Sequence, residues 1–457
     1  MAGISIELRR ILKRESLISL ISAAGYSALL SSGNWVIAIA SIFTFSTLAK
    51  FISKETELPI IYQVYITYTI AISLILSGPF QLMFTRYVAD RLFEKDVERV
   101  LPNFFGALSL SMSIGLLFSF LFSLYLFQGL PYYYHTIFTF TVATLCGIWV
   151  TNALLVGLKS YKHVLYSFLI SYLLIGIGLL ISVRLGIFWS FFSFYLGQVL
   201  LVLLLIIRII KDYPSNRLFE LDFLSKKKSY YSLAFTGFLY NLAVWIDKFL
   251  FWFNPLTGER IFGNIRASVI YDQPVIIAYL TLVPGLAIFF LKIEAEFFLD
   301  YDNFYRAVGE WGTLEDLYRL GNKLVDSTRA VYYEALRSQG TFSVMIFFLE
   351  DKIFSLLKIP LLYTPLFNIL MVGTVLQLAF MVLFAILSYF DRRKEILYIS
   401  LSFASLNFFL TLLSQHLGPY YYGYGFSLSL LFSVILGMYL LGRFLNEILY
   451  RTYVVRD

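Results

Sequence analysis

The chain has 457 residues, 59% of them hydrophobic and 14% charged, with a mean hydropathy of +0.76. That balance excludes an ordinary soluble domain and marks an integral membrane protein. The net charge of +7 reads as a cytoplasmic excess facing anionic lipid, not as a nucleic-acid interface. With Cys146 the single cysteine, an intrachain disulfide is excluded and redox or metal chemistry has no visible foothold.

The basic stretch "MAGISIELRRILKRESL" opens the chain. The apolar run behind it is too long for a signal peptide and lacks a small-residue cleavage site, so an uncleaved first helix is expected. With roughly 20 apolar residues needed per crossing, twelve segments qualify, at about 20–50, 59–84, 101–127, 135–158, 164–183, 187–210, 230–252, 273–296, 335–357, 364–390, 396–416 and 425–448. Glu350, Asp351 and Lys352 interrupt the ninth. Most lysines and arginines fall on one side if both termini are cytoplasmic, the side that also holds "RRK" at 392–394.

After the sixth segment, "KDYPSNRLFELDFLSKKKS" (211–229) is a break in composition. It predicts an all-α polytopic membrane protein with a six-helix lobe at 1–210, a cytoplasmic linker at 211–229 and a second six-helix lobe at 230–457. The longest outer loop covers about 253–272 and holds some twenty residues, too few for an extracellular active site. On the inner side, Leu314, Leu317, Leu320, Leu324 and Val325 fall on one helical face within about 297–335. This cytoplasmic amphipathic segment either lies on the bilayer, packs under the bundle or docks a partner.

Polar residues inside the spans fall in stripes. Ser27, Ser31, Asn34 and Ser41 share a face of the first span; Thr236, Tyr240 and Asp247 share one of the seventh, with Gly237, Asn241 and Lys248 beside them; Ser400, Asn407, Thr411 and Ser414 share one of the eleventh. Such groups either bond neighbouring helices or face a polar cavity between the lobes. The second reading assigns a transport path to Ser31, Asn34, Thr236, Tyr240, Asn407 and Thr411. Cations at depth are nearly absent apart from Lys248, which argues for a weakly anionic or neutral cargo.

Asp247 lies roughly 25 Å along the seventh span at ~1.5 Å per residue, in its outer third. Beside Trp245 and Trp252 it reads either as a charge neutralised near the surface by Lys248 or as a coupling carboxylate for a proton or cation. Adjacent helical residues sit about 100° apart, so the two charges need not pair, and Glu350, Asp351 or Lys352 of the ninth segment offer other partners. Two outer clusters, Tyr132, Tyr133 and Tyr134 and then Tyr420, Tyr421 and Tyr422, read as interfacial belts or as faces for sugar rings at an exit. His135, His163 and His416, near the ends of the expected helices, are expected to be interfacial or structural.

No nucleophile elbow, zinc-protease motif or Walker loop occurs. Asp300-Tyr301-Asp302 matches the metal-holding D-x-D of sugar transferases, but without an α/β domain around it we read it as a solvated turn. No enzyme, cofactor or metal site is expected.

Taken together, "MAGISIELRRILKRESL", "SSGNW" (31–35), "FQLMFTRYVADRLF" (80–93) and "WIDKFLFWF" (245–253) resemble the Pel exopolysaccharide transporter (PelG) family over essentially the whole chain. Asn34 stands where that family's pattern has proline, which implies a less kinked helix. The resemblance implies the multidrug, oligosaccharidyl-lipid and polysaccharide (MOP) exporter superfamily with its MATE-like pair of six-helix lobes. It also implies export across the inner membrane of a Pel-like polymer rich in N-acetylated hexosamine. Implied partners are a cytoplasmic glycosyltransferase (PelF-like), a cyclic-di-GMP receptor (PelD-like) and a PelE-like membrane protein. A lipid-linked oligosaccharide flippase, an ion-coupled multidrug exporter and a membrane scaffold for a polysaccharide synthase remain the alternatives.

Overall fold

The computed structural model describes residues 17–52, 57–225 and 230–453. The basic N-terminal motif up to Ser16 and the lysines at 226–228 lie outside them. Among the described residues eleven helical stretches are long and apolar enough to cross a membrane. The first seven are α1 (Leu17–Ile52), α2 (Leu58–Phe93), α3 (Val100–Leu126), α4 (Tyr132–Gly157), α5 (Tyr161–Ser182), α6 (Ile187–Asp212) and α7 (Tyr231–Phe253). A long run then combines α8 (Val269–Leu280), α9 (Leu282–Lys292) and α10 (Phe298–Arg306), with one π-helical turn between α9 and α10 and a second after α10. After α11 (Leu314–Leu357) come α12 (Thr364–Tyr389), α13 (Arg393–Leu417), α14 (Tyr424–Asn446) and the short α15 (Ile448–Tyr453).

The ninth expected span is not one of the eleven. Residues 335–357 are the C-terminal part of α11, whose 44 residues extend ~66 Å at 1.5 Å per residue, about twice the hydrocarbon core of a bilayer. The amphipathic segment and the ninth span are therefore a single helix. Its start is fixed by a reciprocal cap: Asp316 N donates to Thr313 Oγ1 at 3.2 Å and Thr313 N to Asp316 Oδ2 at 3.3 Å. The Thr313 hydroxyl also donates to that carboxylate and holds Asp316 below the usual carboxylate range.

Packing groups the chain into two compact units, Gly33–Val269 and Met1–Ser32 with Ile270–Asp457. Helix α7, placed after the composition break at 211–229, thus packs with the helices that precede the break. In the Gly33–Val269 unit α2 is the central element, and Tyr62, Tyr65, Tyr68, Phe84 and Tyr87 along it are each no more than 1% exposed. Tyr65 stacks on Phe191 at 3.8 Å and its hydroxyl lies 3.2 Å from Thr141 Oγ1. Tyr68 stacks on Trp252 at 4.6 Å. Trp252, five residues beyond Asp247, is therefore a core residue, 2% exposed. Both phenols have apolar bodies that fill volume and hydroxyls that find partners, as buried tyrosines require.

Helices α2 and α7 touch where neither has a side chain. A Cβ built on Gly78 falls 2.5 Å from the Gly237 carbonyl oxygen, and one built on Gly237 falls 2.1 Å from the Gly78 oxygen. Larger residues must separate the backbones, because small residues are what allow membrane helices this approach. Gly237→Leu is expected to cost at least the ~1–3 kcal/mol of an overpacked core, read as a lower thermal midpoint in detergent. Gly25→Ala, where nothing lies within 4 Å, is expected to leave the midpoint unchanged.

The loop after α7 folds into a hairpin, β1 (Glu259–Phe262) antiparallel to β2 (Ile265–Ala267). Gly263, at φ +60°, holds the first turn position, where a two-residue loop needs the left-handed region. The hairpin is anchored to its own unit: Asn264 N donates to the Leu126 oxygen at 2.7 Å and the Tyr68 hydroxyl to the Arg266 oxygen at 2.8 Å. At the opposite end the described part of the linker lies against α3, with Phe223 fully buried.

In the other unit, α9–α10 and α11 run as a helical pair. Leu317 and Leu324 are buried and Leu320 and Val325 half-buried, so protein covers the middle of the amphipathic face while Leu314 at its start is exposed; a Cβ on Gly321, between Leu317 and Leu324, would lie 3.4 Å from the Phe304 ring. Asp300 ion-pairs with Lys323 at 2.7 Å and accepts from Ser327, and Asp302 pairs with Arg306 at 2.9 Å. The D-x-D is thus part of helix α10, not a solvated turn, and its acids tie α10 to α11 and to itself.

Candidate transport path and aromatic cleft

The six residues assigned to a path occupy different settings. Ser31 and Asn34 are half-buried on α1, with the Ser31 hydroxyl 3.5 Å from the Ala28 oxygen. Thr236 is fully buried and donates to the Ser232 oxygen at 2.8 Å, and Tyr240, one turn on, is half-buried. Asn407 and Thr411 bond each other at 2.9 Å, and a Cβ on Gly425 would meet Thr411 at 2.5 Å. That pair sits in the contact of α13 with α14, in the helix-bonding setting. Ser31, Asn34 and Tyr240 are the members with surface left to offer.

Asp247 and Lys248 do pair. Lys248 Nζ lies 3.1 Å from Asp247 Oδ2 and also donates to the Val244 oxygen at 2.8 Å. The 100° between adjacent residues does not prevent the pair, because the lysine arm is long enough to curl back along its own helix. Both side chains are almost wholly out of contact with solvent space, at 0% and 7% exposure. Glu350 on α11 accepts from Asn368 at 3.4 Å while its second oxygen is buried without a partner, and Asp351 is exposed.

The two tyrosine clusters present the same gradient: Tyr132, Tyr133 and Tyr134 are 85%, 47% and 9% exposed, and Tyr420, Tyr421 and Tyr422 are 86%, 47% and 5%. In each cluster the last ring is an anchor and the first two are displayed. The first cluster joins a cleft of ≈ 440 Å³ whose rings come from Tyr133, Tyr134, Phe188 and Trp189. Tyr133 meets Phe188 edge-on at 4.9 Å, and Tyr134 packs on Phe262 of the hairpin at 5.1 Å. Gly186, at φ +107°, turns the chain so that Phe188 and Trp189 at the start of α6 face Tyr133. Rings held edge to face, with one hydroxyl-bearing face half open, suit an amphipathic ring ligand better than a flat lipid contact.

Phe188 and Trp189 were not singled out by sequence. An aromatic pair at the start of a span carries no signal beyond an interfacial belt. Two of the histidines bond within the bundle, His135 to Ser123 at 3.2 Å and His163 to the Leu204 oxygen at 2.9 Å, while His416 is exposed. Among the described residues no group of three His, Cys, Asp or Glu could hold a metal.

Comparison with known structures fits this architecture. An outward-facing multidrug resistance MATE family transporter of the MOP superfamily aligns at 16% identity, covering 93% of this chain and 96% of that one, with a TM-score of 0.66. A MOP superfamily transporter from Pyrococcus furiosus, described by a reversed polarity of its binding pocket, aligns at 14% identity over 92% and 96% with a TM-score of 0.64. A MATE transporter in its bent conformation aligns at 11% identity over 98% of both chains with a TM-score of 0.63. At these identities the likeness establishes the fold, a MATE-like multi-span bundle. No curated protein matches the chain in sequence. The family model described as "PelG: Putative exopolysaccharide Exporter (EPS-E)" matches residues 1–453. The chain is accordingly a multi-pass membrane transporter, not an enzyme, and belongs to the PelG family of exopolysaccharide exporters.

Proposed function

We propose that this chain carries a Pel-like polymer, rich in N-acetylated hexosamine, out of the cytoplasm across the inner membrane while a cytoplasmic glycosyltransferase extends it. The family match over residues 1–453 carries the reading. The scarcity of cations in the spans and the ring-lined cleft at Tyr133, Phe188 and Trp189 support a neutral cargo with flat sugar faces. The six-helix lobes at 1–210 and 230–457, joined by 211–229, are the bodies that move in this reading. Ser31, Asn34, Thr236, Tyr240, Asn407 and Thr411 line the path, and because Asn407 and Thr411 are buried against α14, that contact opens in at least one transport state. Asp247 is the coupling carboxylate and Lys248 its counter-ion. The partners are the PelF-like transferase, a PelD-like cyclic-di-GMP receptor and a PelE-like membrane protein.

Deleting the chain is expected to abolish secreted hexosamine polymer, read with a hexosamine-binding lectin, while polymer still accumulates inside cells. Removing two ring faces with Tyr133→Ala and Trp189→Ala, at ~0.5–1.5 kcal/mol for an aromatic contact, is expected to reduce secretion about tenfold at equal protein level. Undiminished secretion from the deletion strain overturns the proposal.

A further inference from the structure

A second cleft, of ≈ 520 Å³, runs between α9 and α11. It changes polarity along its length. At one end stand Glu334 and Arg337, beside Lys292, which bridges Glu334 at 3.1 Å and Glu296 at 2.9 Å. Ser338 and Thr341 follow, and the walls then become Phe342 and Met345 on α11 and Ile288 and Pro284 on α9. Gly285 sets the floor, since its Cβ would fall 2.5 Å from Gln339 Oε1 and the two helices can meet there.

The polar end holds unspent donors. Lys292 is neutralised by two carboxylates, whereas the Arg337 guanidinium forms no ion pair or hydrogen bond among the described residues. The Ser338 and Thr341 hydroxyls likewise make none, although serines and threonines elsewhere in these helices bond back to their own backbone, as Thr328 does to Leu324. One unpaired cation and two free hydroxyls within a turn of helix match a phosphodiester, which offers a charge and several acceptors.

The cleft as a whole, headgroup end included, has the length of one leaflet. From Glu334 to Met345 is eleven positions, ~16 Å at 1.5 Å per residue, close to the ~15 Å of one leaflet's hydrocarbon. Beyond Thr341 the outward side of α11 is apolar and uncovered: Val344, Met345, Phe347 and Phe348 are all at least 50% exposed. Lipid is what covers such a surface on a membrane helix.

We propose that this cleft is a site for one anionic phospholipid. Its phosphate is held by Arg337 with Ser338 and Thr341, and an acyl chain lies between Ile288 and Met345. The site is independent of the exported cargo, and its occupancy couples α11 to the charge of the leaflet around it.

The test uses the purified full-length protein in detergent, with phosphatidylglycerol and phosphatidylcholine added in equal amounts and retained lipid counted by native mass spectrometry. The wild type is expected to retain phosphatidylglycerol about tenfold over phosphatidylcholine. Arg337→Gln is expected to abolish that preference, Arg337→Lys to keep most of it, and Met345→Trp, which fills the apolar end, to lower retention of both lipids. Arg337 is exposed, so its variants are expected to melt as the wild type does, which separates loss of binding from loss of fold. A wild type that does not distinguish the two lipids, or an Arg337→Gln protein that still does, overturns the proposal. So does displacement of phosphatidylglycerol by inorganic phosphate at equal concentration, which assigns the polar end to a free anion.

Discussion

Asp247→Leu alone is expected to destabilise the protein by about 3–5 kcal/mol, and Asp247→Leu combined with Lys248→Met to recover most of that loss. Lys248 is 5% exposed and its ammonium is held by the carboxylate at 3.1 Å and one carbonyl at 2.8 Å. Without the carboxylate a buried cation keeps its desolvation cost and loses its main compensation. Removing both charges takes away the cost together with the attraction, which is why the double variant is the informative one. Thermal midpoints in detergent read the stability difference. Export then separates two roles for the same pair. A coupling carboxylate predicts that the stable double variant still fails to secrete polymer, whereas restored secretion with restored stability reduces the pair to a structural clasp inside α7.

The membrane character and the eleven spans were legible because a crossing helix needs a long apolar window, and such windows survive any uncertainty about packing. What the windows hide is continuity. Helix α11 was divided in two because Glu334, Arg337 and their neighbours make its first part polar, yet hydrogen bonding along a helix is indifferent to that change. The hairpin was missed for the opposite reason: with Glu259–Phe262 and Ile265–Ala267 as its strands, it is too short for periodicity, and only the Gly263-Asn264 pair marks it. Trp252 and Phe188 show a third limit. Sequence places both aromatics near a membrane surface, but whether a ring faces lipid or a tyrosine on another helix depends on tertiary contact. The Asp300 and Asp302 pattern failed as a transferase motif on sound grounds, and its actual use, holding α10 to α11, was visible only once Lys323 and Ser327 were seen opposite.

Phe223→Ala is expected to release the linker from its unit at a cost of about 3–5 kcal/mol, the range for removing a buried phenylalanine. The sequence 211–229 has the composition of a loose connector, with Pro214, Ser215 and Asn216 near its start, but its described part is docked. Phe223 is 0% exposed, between Phe84 at 5.6 Å and Tyr87 at 6.3 Å. Around it, Arg99 pairs with Asp222 at 2.6 Å, Asn103 accepts from Phe223 N at 3.3 Å, and Glu220 N donates to the Pro102 oxygen at 3.1 Å. Gly106 makes room for this strap, since a Cβ there would fall 2.1 Å from the Glu220 oxygen. The exposed ion pairs contribute little each, so the buried ring dominates and its loss should free the segment locally while the spans stay folded. Limited trypsin digestion reads the opening at Arg217: if cleavage follows the open population, 3 kcal/mol corresponds to roughly a hundredfold faster cut. Equal cleavage rates in wild type and variant would show that the polar contacts hold the strap without the ring.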